Sequence, residues 1–136
     1  MIAALICVVS IAAFAHFFVS YTRTILISAG GVELSPRVRE VMGIADGPIS
    51  AADFGRLLQL VHLCSETPDD QGQIRAVGVY YRALRFVDLS VRPLVPRISA
   101  WLERERQRCS YFAAVALDRR IAHNLGLYRR QIAEGL

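Results

Sequence analysis

The side chain best placed to do chemistry in this sequence is a histidine in an otherwise apolar run. His16 sits in Ile11-Ala12-Ala13-Phe14-Ala15-His16-Phe17-Phe18 with no charged residue beside it. A polar ring in such a setting is costly and defaults to a functional role, either ligating a metal or hydrogen bonding to a neighbouring helix. Ala12 lies one helical turn earlier on the same face and leaves room for a flat macrocycle against the backbone. His16 is therefore the candidate cofactor-binding residue, for a tetrapyrrole such as heme or bacteriochlorophyll. A neutral histidine bonded to an adjacent helix is the preferred reading, and no cofactor is assigned.

The remaining reactive residues point to no site. Cys7, Cys64 and Cys109 are an odd count without CxxC spacing, which argues against a disulfide framework or a zinc centre and fits a reducing compartment. His62-x-Cys64 and the distant His123 are read as buried core residues. The stretch from Asp46 to Phe54 matches the second half of a calcium loop, but Met42 and Ile44 would fill its first ligand positions without a side-chain oxygen. Asp69-Asp70 follow Thr67-Pro68 and are explained as acids in the first turn of a helix. No GxSxG, HExxH, P-loop or dinucleotide fingerprint occurs, so the expectation is a protein that is not an enzyme.

His16 belongs to a longer element. Met1 to Thr22 contain no charged side chain, and Arg23 closes the run. A bilayer span needs ~20 apolar residues at ~1.5 Å rise each, so this segment is long enough to cross as a helix. A secretory signal would open on a positive n-region, and none precedes Arg23. Cleavage after Ala13-Phe14-Ala15 would leave a greasy new terminus, so a retained anchor is expected. Its fragment Ile11 to Phe18 resembles the spans of bacterial light-harvesting polypeptides, in which such a histidine binds bacteriochlorophyll. Where those spans continue with a tryptophan-rich segment, this chain has Val19-Ser20-Tyr21-Thr22-Arg23, and the rest of the sequence bears no likeness.

Charge sets an expected orientation. Arg23, Arg37 and Arg39 follow the span and no basic side chain precedes it, which places the N-terminus outside and the bulk in the cytoplasm. All 16 basic residues are arginine, as codon bias in a GC-rich genome would give, and the expected location is a bacterial inner membrane. A net charge of +4 is mild and suits an anionic membrane surface. Nucleic acid is not expected as a partner, because Trp101, Phe112 and most tyrosines fall on apolar faces rather than among the arginines. Arg119-Arg120 and Arg129-Arg130 are read as solvated charge that could touch lipid headgroups or an acidic partner.

The rest of the chain reads as helices with marked starts. Ser35-Pro36 opens a short helix running to Met42 before Gly43. Ser50 and Asp53 form an acidic capping box, with Ile49 and Phe54 as the hydrophobic staple, for a helix ending near Ser65. Leu60 and Leu63 make that helix apolar nearly all round, so it is expected to be central. Thr67-Pro68 opens the next helix, with Val77, Tyr80, Tyr81, Leu84, Val87 and Val91 along one side. Arg92-Pro93-Leu94-Val95-Pro96 breaks it. The last helix gathers Ile98, Trp101, Leu102, Cys109, Phe112, Ala113 and Ala116, while Glu103 to Arg108 supply a solvated charged face. Asn124 and Gly126 mark a possible bend before the stripe Ile121, Leu125, Tyr128 and Ile132.

The expected fold is all-α: a single N-terminal transmembrane helix (residues 1–29), a linker with a flexible exit at Ala29-Gly30-Gly31 (30–35), and a helical bundle of about four helices (36–136). The expected function is that of a non-catalytic accessory subunit, docking on a larger membrane-protein complex to stabilise or regulate it. Its expected partners are integral membrane subunits and the lipid bilayer. Tetrapyrrole ligation through His16 is one alternative, and a membrane-tethered regulator that captures a soluble partner is another.

Overall fold

A computed structural model describes the chain except for Ala45, Asp46, Leu94 and Leu136. The described residues form an all-α fold of five helices with no strand among them. Helix α1 spans Ile2–Gly30, α2 Pro36–Met42, α3 Phe54–Leu63, α4 Pro68–Val91 and α5 Pro96–Glu134. A 3₁₀ turn, Ala51–Asp53, leads into α3.

Local chemistry explains most of the boundaries. Pro36, Pro68 and Pro96 each occupy the first turn of a helix, where a missing N–H costs nothing and the fixed φ is already helical. Gly43 ends α2 at φ 66°, a left-handed conformation that favours glycine, and the chain then closes with Gly43 N–H to Glu40 O and Ile44 N–H to Arg39 O, each 3.0 Å. The capping box forms as expected: Ser50 Oγ accepts from the Ala52 amide and the Asp53 carboxylate accepts from the Ser50 amide, both at 3.3 Å. Ile49 and Phe54 are both buried in the core that the staple was expected to enter. The calcium reading falls on Asp46 and lies outside the described residues.

Helix α1 is 29 residues long, and an 18-residue window within it has a mean hydropathy of 2.5. It is the one helix among the described residues long and apolar enough to cross a membrane. From Met1 to Phe17 every side chain is exposed, whereas Thr22, Leu26 and Ala29 are buried against the other helices. The helix therefore continues without a break from a projecting arm into the core. The exit read as flexible is tied to α5 by two side chains. Tyr111 donates its hydroxyl proton to Val32 O, and Ser35 gives both its amide and its hydroxyl to the Asp118 carboxylate, at 3.1 and 2.7 Å. Ser35 was expected to cap α2, and its hydroxyl is diverted to this longer-range bond.

Helix α5 is the axis of the bundle. Its residues Phe112 to Leu117 are all buried, because α1, α3 and α4 pack around it and the small Ala113, Ala114 and Ala116 let them approach. Residues 23, 32 and 35 meet residues 105, 111 and 118 in turn, so α1 and α5 run in the same direction. Tyr80 meets Glu105 and Asp88 meets Ser99, so α4 runs antiparallel to both.

Three expectations about packing are corrected. Leu63 is 83% exposed, so α3 is not buried all round: the stripe Phe54, Leu57 and Val61 is fully buried, and Leu58 and Leu60 are half-buried beside it. Ile98 and Trp101 stay substantially exposed while Leu102 and Cys109 are buried. No bend occurs at Asn124 or Gly126: α5 runs through both, since a single mid-helix glycine costs only about 1 kcal/mol relative to alanine. Tyr128 and Ile132 consequently stand on an exposed extension rather than in a second core.

Candidate functional site

His16 lies midway along the projecting arm of α1, exposed, with no hydrogen-bond partner among the described residues. The remaining ligand candidates are equally dispersed. His62 is exposed and places Nδ1 2.8 Å from Leu58 O in its own helix, and His123 is exposed on α5. Both were expected in the core, and the surface position is the correction. Cys64 is a half-buried free thiol. Among the described residues no group of three or more His, Cys, Asp or Glu could hold a metal.

The polar chemistry collects instead where α1 enters the bundle. Glu105 belongs to the face expected to be solvated, yet it is only 1% exposed. Its carboxylate receives the Arg108 guanidinium at 2.9 Å and the Tyr80 hydroxyl at 3.3 Å, and Arg23 of α1 approaches to 3.8 Å. One buried charge thus joins α1, α4 and α5. Burial, followed by the Glu105 charge, raises the Tyr80 phenol well above its ordinary range. The same two causes push the neighbouring Cys109 thiol up to about 12. Both groups are therefore held neutral, and a thiol so buried is a poor nucleophile. The arrangement fastens helices together and offers no activated nucleophile.

A second knot braces the other side of α5. Arg106 lies 3.5 Å from Asp88 and 3.1 Å from Glu103, donates to the Tyr81 hydroxyl at 3.4 Å and covers the Tyr81 ring at 5.4 Å. Tyr81 stacks on Phe54 with centroids 4.1 Å apart and donates to Ala51 O at 2.8 Å. This fixes the 3₁₀ turn to α4 and α5. Arg120, read from the sequence as solvated charge, is also internal. It is 3% exposed and gives Nη1 to Val61 O at 2.8 Å, satisfying a carbonyl at the end of α3.

These buried groups had a signal in the sequence that charge alone obscured. Leu102, Glu105, Cys109, Phe112, Ala116 and Arg120 follow one helical stripe, and Glu105 and Arg120 occupy steps of it. Asp88 likewise follows Leu84 by one turn. A groove of about 400 Å³ opens between α2 and α5, with Val38, Met42 and Ile49 as its apolar lining and Arg39 and Arg104 at its edge. No family model, curated protein or solved structure matches the chain.

Proposed function

We propose that this chain is a non-catalytic single-pass membrane subunit whose helical domain docks on a larger membrane-protein assembly, which it stabilises or regulates. The observation that carries this reading is the unbroken course of α1. Ile2 to Tyr21 give about 30 Å of helix at ~1.5 Å per residue, the thickness of a bilayer's hydrocarbon core. Thr22 to Ala29 continue the same helix into the packed domain. A span joined to its domain in this way orients the domain rigidly at the membrane surface, as docking requires and as a loose tether does not. His16 on the arm would meet a helix of the assembly, with Ala12 and Ser20 along the same stripe allowing close approach. Arg23, Arg37 and Arg39 after the span favour a cytoplasmic domain, and the free thiols suit the reducing side of a bacterial inner membrane.

Native purification in mild detergent, with mass spectrometry of the co-purifying chains, tests this reading. A stoichiometric set of integral membrane proteins is the expected result. A stable monomer with no partner contradicts it. The exposed and unpartnered His16 supports tetrapyrrole ligation as a second reading. An absorbance band in the purified complex that disappears in His16→Ala would establish it, and a spectrum without such a band would end it.

A further inference from the structure

We propose that the groove between α3 and α4 binds a phosphate monoester through Arg75, Arg82 and Arg120, a role beyond docking and independent of how α1 is placed. A buried cation without a counter-ion points there. Arg120 is 3% exposed; its guanidinium gives Nη1 to Val61 O at 2.8 Å, and its Nε has no hydrogen-bond partner among the described residues. Arg23 and Arg106 also hold a buried Nε without a partner, but Arg23 lies 3.8 Å from Glu105 and Arg106 3.5 Å from Asp88. Arg120 forms no ion pair among the described residues. A carbonyl satisfies one N–H and leaves the charge standing, and arginine does not shed its proton. A charge buried in that condition is costly unless an anion reaches it.

Arg120 helps to line a groove of about 340 Å³. Arg75 and Arg82 stand two helical turns apart on its α4 wall, hence on one face, and both are exposed and form no ion pair among the described residues. Gly78 lies between them, and a Cβ there would meet nothing within 4 Å. Glycine is unfavourable inside a helix, and packing does not call for it at this position. Its effect is to keep the groove open between the two guanidiniums. Leu58, Ile74 and Val79 add apolar surface. Among the described residues the one carboxylate in the lining is Glu66, exposed and already accepting from Gln71 Nε2. Three guanidiniums against one carboxylate leave two positive charges, which match the charge of about −1.5 to −2 on a phosphate monoester at neutral pH. Guanidinium forks take phosphate oxygens in pairs. The apolar surface suits an ester with an apolar body better than inorganic phosphate. A soluble metabolite and a lipid headgroup share this chemistry.

The full chain in neutral detergent would be titrated with phenyl phosphate at constant ionic strength, by calorimetry and by thermal unfolding. The expected result is saturable binding with a raised Tm, and binding of the singly charged benzoate weaker by about tenfold or more. Arg75→Gln should weaken phenyl phosphate binding about tenfold, through loss of a charge-assisted bond. Gly78→Leu should abolish binding by filling the groove, yet unfold at no lower temperature than the parent chain, since its Cβ meets open space. Arg85→Gln, on α4 but outside the groove, should leave the affinity unchanged. Phosphatidic acid in mixed micelles is the second arm. A response to phenyl phosphate assigns the site to a soluble ester, and one confined to phosphatidic acid assigns it to a lipid headgroup. No response to either overturns the proposal. Binding that survives both Arg75→Gln and Gly78→Leu also overturns it, as does benzoate binding as tight as that of phenyl phosphate.

Discussion

The Arg23 guanidinium reaches to 3.8 Å from the Glu105 carboxylate, coupling the apolar helix to a charge buried at the centre of the bundle. Arg23 is 43% exposed and Glu105 is not, so the two partners contribute unequally. The buried carboxylate is the group that cannot do without compensation.

Glu105→Gln should therefore be mild, costing about 1–2 kcal/mol, because the amide removes the buried charge and still offers Tyr80 and Arg108 a partner. The double change Arg23→Ala and Arg108→Ala should cost more, about 3 kcal/mol, since it strands the ion. Guanidinium unfolding in detergent compares the two. An order of severity opposite to this would show that Glu105 is reached by water.

Alkali should weaken the fold through Cys109. Its thiol is raised from an ordinary 9.0 to about 12, so between those values the folded state keeps a proton that the unfolded state has lost. Stability is then complete below pH 9 and falls by about 1.4 kcal/mol per pH unit above it. Tyr80, also raised, adds to the slope above its ordinary value of 10.0. Chemical denaturation at pH 8, 9 and 10 should show the decline in the parent chain. Cys109→Ala, less stable by about 1–2 kcal/mol at pH 8, should be level from pH 8 to 9.5.

Neighbouring arginines should behave differently. Arg120→Met removes a charge-assisted bond to Val61 O at the end of α3 and should cost about 2 kcal/mol. Arg119→Met, on the exposed side of the same turn, should change stability by no more than about 0.5 kcal/mol. Equal effects in thermal unfolding would contradict the burial assigned to Arg120.

Helix α1 should tolerate truncation only up to a point. A chain starting at Tyr21 keeps Thr22, Leu26 and Ala29 and should fold; one starting at Gly31 loses all three from the core and should not. Leu26→Ala in the full chain should cost about 2–5 kcal/mol, as for a buried leucine. Far-UV circular dichroism and thermal unfolding of the three chains would decide this.

Reading charge as solvation was the main source of error in the sequence. Glu105 and Arg120 lie on the same stripe as Leu102 and Cys109, and only their ionic type argued against burial. An ion goes inside when partners from other helices meet it, and Tyr80 is twenty-five residues away in the chain. Arg120 similarly needed the carbonyl of Val61, fifty-nine residues distant. Leu63 erred in the opposite direction, since an apolar side chain at the end of α3 found no neighbour.

By itself the sequence determined what a single turn of backbone can encode. Prolines at the helix starts, Gly43 after Met42, the Ser50–Asp53 box and the uncharged run before Arg23 each act through atoms a few residues apart. It also determined the all-α class, because apolar residues recur at helical spacing. Only the tertiary structure decided that α1 enters the core, that Ser35 bonds to Asp118 rather than capping α2, and that α5 runs unbroken through Gly126. Those outcomes depend on which of several competing partners comes closest, and packing across the whole chain makes that choice.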